Sequence, residues 1–347
     1  MDIVWDKLDL LWVSTGFLDS VKVNIVPSPR VFWSNTYHKK QICFVSLPIT
    51  CEKRMWETIK VAGHKLPKPL IPYGEKILET IEKAAGLKPP LRYLEFHLAD
   101  HCNLNCKGCD HFSPIAEKRF ANLKDYKRDL KQLQRLFSTI RIIVLMGGEP
   151  LLHPQIDSFL FATRSCFPQA NIRILTNGIL LPQMSKKFWN ACRSCSVDIG
   201  ITIYPPLKEK ESDLVQLVKS NGLRVFTNSV TFFHAFYNRK GDTNQKVAFK
   251  RCRARGYMPM LREGKIYICQ KPATLGYFNK KYDLKIPRTG FVDIYTPSLS
   301  GWDVREQLDE ASSVCCYCTL GWDVIPVFPW ETSKPVLQDW DALRNQV

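Results

Sequence analysis

Between residues 91 and 235, short apolar runs alternate with stretches of helical periodicity. The runs LRYLEFHLA, IRIIVLM, NIRILTN, SVDIGITIY and LRVFTN predict strands. The segments LKDYKRDLKQLQRLF, IDSFLFATRSCF, QMSKKFWNACR and ESDLVQLVKSNG between them predict helices. That alternation calls for a parallel sheet with helices on its outer face, either an open sheet or a barrel. Upstream, VKVNIV, RVFW and QICFVSL read as strands before a helix over GEKILETIEKAAG. Downstream of 235 the rhythm is lost, and cysteines, glycines and prolines surround short strands such as KIYICQ. Three parts are therefore expected: an α+β extension at 1–88, a βα domain at 89–235, and a third domain at 236–347.

The polar punctuation of the βα segment falls on one side. A cysteine triplet follows the first strand, MGGEP the second, TNG the third and TIYPP the fourth. Each sits at a strand's carboxyl end, the edge where parallel α/β folds bind ligands. Four punctuations on one edge describe one site.

Charge and cysteine content narrow the partners. Lys and Arg outnumber Asp and Glu by 49 to 33, a formal net charge of +16. The excess favours an anionic substrate, cofactor or partner, keeps RNA as an alternative, and suits an ordinary basic surface equally well. The opening MDIVWDKLDLLWVSTGF carries acids where an export signal carries bases, and no run of about 20 apolar residues offers a membrane span. A cytoplasmic chain without a membrane span is expected, in which 13 cysteines read as metal ligands and buried residues rather than disulfides.

Cys102, Cys106 and Cys109 form a CxxxCxxC in FHLADHCNLNCKGCDHFSP. Soft thiolates suit zinc, with His101 or His111 as a fourth ligand, or an iron–sulfur cluster. Together with GGEP, as Gly147, Gly148, Glu149 and Pro150 one βα unit later, this arrangement resembles the radical S-adenosylmethionine superfamily. The resemblance implies a partial (β/α)6 TIM-like barrel and a [4Fe-4S] cluster on the three cysteines. Its fourth ligand would be the amino and carboxylate group of S-adenosylmethionine. It further implies cofactor contacts at the GGEP loop, at Thr176 and Asn177, and at Thr202 and Tyr204, with Glu149 bracing the loop. Many members carry an aromatic residue before the third cysteine. Here Gly108 stands there, so His111 or Phe112 is expected to cover the adenine.

Cys252, Cys269, Cys315 and Cys318 form a second set, suited to zinc or iron–sulfur. Their spacing resembles the short (twitch-type) auxiliary domains of radical enzymes, which implies a second [4Fe-4S] cluster held wholly by thiolates. Cys316 would be an alternative ligand, a hydrogen-atom donor, or a packing residue. Cys192 and Cys195 form a CxxC away from the ligand edge and read as buried. Arg251, Arg253 and Arg255 would share one face of an extended stretch, where they could clamp an anionic substrate or form a solvated basic edge.

The family resemblance implies a 5′-deoxyadenosyl radical and a reducing partner such as flavodoxin or ferredoxin. The expected reaction is oxidation (dehydrogenation) or epimerisation of a polar, anionic small molecule such as a sugar or cyclitol derivative. Two alternatives stand beside it: a peptide- or protein-modifying radical enzyme, and a non-enzymatic metal- or nucleic-acid-binding protein. The segment 1–88 reads strands first and helix last, unlike a winged-helix peptide-recognition module, which tells against a ribosomal peptide precursor.

Overall fold

The computed structural model describes residues 79–252, 258–319 and 327–341, together with three strands nearer the start of the chain. Two compact units divide it, Met1–Leu87 and Lys88–Val347. In the first, β1 (Asp9–Thr15), β2 (Val21–Pro27) and β3 (Ile42–Val45) form an antiparallel sheet in the order β2-β1-β3. Leu11 pairs with Ile25 on one side and Phe44 on the other. The central strand, DLLWVST, had not been separated from the opening segment by its pattern. Residues 79–84 are helical. The strand expected at RVFW, the start of the helix expected at GEKILETIEKAAG, and Cys51 lie outside the described residues.

In the second unit, five parallel strands run in chain order. They are β4 (Leu91–Ala99), β5 (Ile140–Gly147), β6 (Asn171–Thr176), β7 (Val197–Ile203) and β8 (Val225–Ser229). Helices α1 (Leu123–Leu136), α2 (Ile156–Cys166), α3 (Lys186–Ser194) and α4 (Glu211–Ser220) connect them. The local signals are ordinary. Asn122 caps α1 by accepting from the N–H groups of Lys124 and Asp125, and Ser185 caps α3 through that of Phe188. The outer face of β4 is sealed by Phe96 packing on Tyr126 of α1 and Phe159 of α2. This is the partial barrel expected from the βα alternation.

A sixth parallel strand, β10 (Met260–Arg262), comes from beyond residue 235. It lies on the free side of β4, with Met260 beside Glu95. A two-residue turn at Glu263 and Gly264, both at positive φ, returns the chain as β11 (Lys265–Tyr267), and β12 (Phe291–Asp293) follows antiparallel. Residues 236–347, set apart in the sequence by loss of the βα rhythm, thus extend the same sheet. They also supply α5 (Gln245–Arg251), α6 (Gln270–Tyr282) and α7 (Gly301–Leu308). Last, β13 (Val327–Pro329) pairs antiparallel with β9 (Phe232–His234). Among the described residues no helix is long and apolar enough to cross a membrane.

Candidate functional site

The carboxyl ends of β4, β5 and β6 meet at the cysteine loop. Gly147 ends β5 at φ +152°, where a Cβ would stand 2.1 Å from the Ala99 carbonyl oxygen; one on Gly148 would stand 2.3 Å from that of His101. The missing side chains let the end of β5 lie against the start of the cysteine loop, so the glycines first serve a backbone contact within the protein. Two hydrogen bonds close it, Gly148 N–H to Ala99 at 2.8 Å and Glu149 N–H to His101 at 3.1 Å.

Glu149 is fully buried, and both of its carboxylate oxygens are engaged. One accepts from the Thr176 hydroxyl at 2.7 Å and the Leu151 N–H at 3.0 Å; the other accepts from the Asn177 N–H at 2.9 Å. Burial pushes its carboxyl up to about 7 against these donors. With both oxygens engaged inside the protein, Glu149 and its partner Thr176 brace the loop. Pro150 opens the following turn, where its missing N–H costs nothing. The Asn177 side chain reaches the cysteine loop itself, donating to Asn103 at 2.8 Å and to the Cys102 sulfur at 3.5 Å.

Other sulfurs are also met by donors. The Leu104 N–H points to Cys102 at 3.3 Å, and the Trp330 indole N–H to Cys106 at 3.2 Å. Trp330 belongs to a C-terminal segment that clamps the loop: Lys107 N–H donates to Glu331 and Ser333 N–H to Asn105, both at 2.9 Å, while the Trp340 indole donates to the Cys109 carbonyl at 2.7 Å. Nothing in the local pattern marked these tryptophans, because their partners lie more than 220 positions away in the chain.

The aromatic expectation at Gly108 needs correcting. Phe112 is fully buried, packed with Phe278, Tyr237 and Trp340, and so belongs to the core. His111 is tied to His97, ring nitrogen to ring nitrogen, at 2.8 Å. Gly108 sits at φ +70°, and Phe328 of β13 occupies the space of its side chain, 2.6 Å from where a Cβ would be. Phe328 stacks on Phe233, and Phe233 on Tyr204. Burial, and then the neighbouring Cys106, Cys109, Asp110 and Cys102, push the Tyr204 phenol upward, so this aromatic row borders the triplet. Thr202 stands half-buried on β7 beside Asn228.

Behind the loop lies a buried polar network. Asp100 accepts from the Arg262 guanidinium at 2.7 and 2.9 Å, from Tyr277 at 2.7 Å and from Arg119 at 3.1 Å, and lies 3.2 Å from His97. Burial alone would raise Asp100, but His97 and Arg262 hold its carboxyl well below the usual range. Burial pushes the His97 imidazole down to about 4. Asp100 stands two residues before Cys102, so this fork anchors the loop's first strand end. Arg262→Met is expected to cost about 3–5 kcal/mol by removing the two-pronged partner of a buried carboxylate, which Tyr277, Arg119 and His97 only partly replace. Urea unfolding at neutral pH measures it, and a loss below about 1 kcal/mol would show that the pair does not anchor the loop.

The second set also converges. Cys269 precedes α6, Cys252 follows α5, and Cys315 and Cys318 lie in the turn around Ser313–Tyr317. After burial, Cys318 and Cys252 are among the groups that push both the Cys269 and Cys315 thiols upward, so they lie within electrostatic reach of both. Cys316 turns instead toward Gln245, its sulfur 3.8 Å from the amide oxygen. Lys271, buried as the second residue of α6, donates to the Cys318 sulfur at 3.3 Å and to the Phe236 carbonyl at 3.2 Å, an ammonium the sequence had not marked. Arg251 is the last residue of α5, so the extended register expected for the three arginines does not begin there; Arg253 and Arg255 lie outside the described residues. Cys192 and Cys195 are core residues.

Both cysteine sets suit a metal cluster in their donor chemistry. Burial pushes the thiols of Cys102 and Cys109 up to about 12 and that of Cys106 to about 11, so as free groups they are neutral. Yet N–H groups point at their sulfurs, an environment made for thiolate, which a bound metal stabilises. Among the described residues, no three His, Cys, Asp or Glu side chains are gathered tightly enough for a single metal ion.

The parallel βα barrel thus carries a thiol triplet and a glycine-rich loop together on its carboxyl edge. Residues 97–256 match the model of the Radical SAM superfamily. Curated relatives include the GTP 3′,8-cyclase of Clostridium acetobutylicum, 39% identical over 97 residues, which are 27% of this chain and 30% of that protein. The GTP 3′,8-cyclase of Sulfurovum sp. is 30% identical over 107 residues, 28% of this chain and 31% of that one. The chain thus spans about a third of the length of these relatives. Among solved structures, BtrN in complex with AdoMet and 2-DOIA matches with a TM-score of 0.44 and 19% identity, over 69% of this chain and all of that one. Streptococcus suis SuiB bound to precursor peptide SuiA matches with a TM-score of 0.33 and 20% identity, over 48% of this chain and 38% of that one.

Proposed function

We propose that the protein is a radical S-adenosylmethionine enzyme that oxidises a polar small molecule at a carbon bearing a hydroxyl. The observation that carries the reading is the convergence of Cys102, Cys106 and Cys109 with the GGEP loop on one strand edge, with a separate set of four thiols beside it. Cys102, Cys106 and Cys109 would hold the first four-iron cluster, and Cys252, Cys269, Cys315 and Cys318 the second. When bound, the first cluster supplies the one-electron chemistry that turns S-adenosylmethionine into a 5′-deoxyadenosyl radical, and the second supplies an acceptor for the electron that substrate oxidation releases.

The chain's own residues orient and shield. The loop carbonyls at Gly147 and Gly148 would accept from the ammonium of S-adenosylmethionine, and Tyr204 and Phe233, backed by Phe328, would offer the adenine an apolar ledge. Asn177 holds the loop to the end of β6. Cys316, directed at Gln245, is read as a packing residue, which favours oxidation over epimerisation. A reducing partner such as flavodoxin or ferredoxin would supply electrons. A peptide side chain reaching the same barrel is the second reading, since it calls on the same two cysteine sets.

The test incubates reduced, cluster-loaded protein and S-adenosylmethionine with fractionated, deuterated extract of the source cells. The compound passing deuterium into 5′-deoxyadenosine is then identified. A small polar alcohol whose unlabelled product is two mass units lighter supports the proposal. A peptide donor moves the protein to the second reading, and an unchanged product mass points to epimerisation.

A further inference from the structure

The lower part of a barrel is ordinarily filled by branched apolar side chains. Here it is not. Because Phe96 faces the helices, strand alternation turns Tyr93 and Glu95 to the inner face of β4. Glu95 lies in register with Val144 of β5, and Val144 with Arg173 of β6, so Glu95 and Arg173 share one level of the inner face, two strand spacings or about 10 Å apart. One level below, Tyr93 aligns with Ile142 and Ile142 with Asn171.

Three atoms on this floor are buried without a hydrogen-bond partner: Glu95 Oε2, Arg173 Nε and Asn171 Oδ1. Glu95 is 1% exposed, and its other oxygen accepts from the Tyr93 hydroxyl at 2.9 Å. The Arg173 guanidinium lies over the Phe226 ring at 5.4 Å. On the next strands the space beside Gly200 is filled by Leu175 and Phe226, which a Cβ would meet at 2.4 Å and 2.5 Å. Burial pushes the Glu95 carboxyl up to about 8, so it can donate as well as accept a hydrogen bond near neutral pH. Each unpaired buried polar group costs about 1–3 kcal/mol, and three on one inner face are retained for something that pairs with them.

We propose that Glu95, Asn171 and Arg173 hold the substrate, and that together they select a small molecule with hydroxyl groups at one end and an anionic group at the other. The hydroxyls meet Glu95, and the anion meets Arg173, with Asn171 beside it, two residues away on the same strand. The assignment rests on the small-molecule reading above, and it gives the anion a place inside the barrel that does not depend on Arg251, Arg253 or Arg255.

The test is calorimetric binding to the full chain, anaerobically reconstituted and left oxidised, with S-adenosylmethionine present. The probes are glucose 6-phosphate, glucose and inorganic phosphate. Wild type is expected to bind glucose 6-phosphate at least about tenfold tighter than either fragment, a difference of about 1.4 kcal/mol. Arg173→Met should reduce it to the affinity of glucose, and Glu95→Met should weaken both sugars. Arg173→Met should keep or raise Tm, because the nitrogen it deletes is unpaired, whereas Glu95→Met also takes the acceptor from the Tyr93 hydroxyl and is judged on binding. Lower Tm with unchanged binding would make the two residues structural and overturn the proposal, as would the lack of saturable glucose 6-phosphate binding by wild type. Binding needs no reductant, so the two readings fail separately. A chain that binds the probe but forms no 5′-deoxyadenosine sinks the radical chemistry and leaves this floor standing.

Discussion

Cys102→Ala is expected to lower 5′-deoxyadenosine formation at least a thousandfold, about 4 kcal/mol of barrier. Cys269→Ala is expected to retain that reaction and lose product. The first loss follows from the position of Cys102, whose sulfur receives the Leu104 N–H and the Asn177 amide at the junction of the triplet with the end of β6. A cluster held by three thiolates that loses one has no substitute among the braced groups, because Glu149 is buried and committed to Leu151, Thr176 and Asn177. Cys269 belongs to the other set, where it neighbours Cys318 and Cys252. Iron content should fall from about eight to about four per chain in either variant if each set holds a four-iron cluster. Single-turnover assays with iron analysis read all of this. Equal loss of 5′-deoxyadenosine in the two variants would contradict the division into two centres, and four irons with one zinc in the wild type would remove the second cluster while leaving the radical chemistry.

Gly147→Ala is expected to destabilise the barrel by about 4 kcal/mol, a fall in Tm on the order of 10 °C. The added methyl would sit 2.1 Å from the Ala99 oxygen and 3.1 Å from its nitrogen, and the backbone is held at φ +152°. The obstacle is backbone in β4, whose position is set by pairing with both β5 and β10. No rotamer change relieves such a contact. Either the end of β5 withdraws from the cysteine loop or the loop moves, and both break the Gly148 to Ala99 hydrogen bond. Thermal unfolding with a parallel measurement of S-adenosylmethionine affinity checks this. A Tm within about 2 °C of wild type would mean that the two strand ends are not locked together.

Much of the barrel was legible because its signals are local. The five strand runs between 91 and 235 carry their own apolar pattern, and the helices between them carry amphipathic periodicity with caps such as Asn122 and Ser185. The sixth parallel strand was not legible. MLR is three residues long, too short for any period to show, and it becomes a strand only because β4 offers an unpaired edge. Phe112 misled for a related reason: an aromatic residue beside a cysteine motif reads the same whether it faces a cofactor or the core, and only its packing against Phe278 and Trp340 separates the two.

By itself, the sequence determined the order of strands and helices in the barrel, the edge on which its polar residues gather, and the family-like pairing of Cys102, Cys106 and Cys109 with GGEP. These are matters of period and spacing, written in contiguous residues. Tertiary structure alone decided that Phe328 fills the place beside Gly108, that Trp330 and Trp340 clamp the cysteine loop, and that Lys271 reaches Cys318. It also decided that Glu95 and Arg173 stand level on the inner face. Each of these depends on strand register or on chain segments far apart in the sequence, and such contacts leave no periodic trace in the residues that make them.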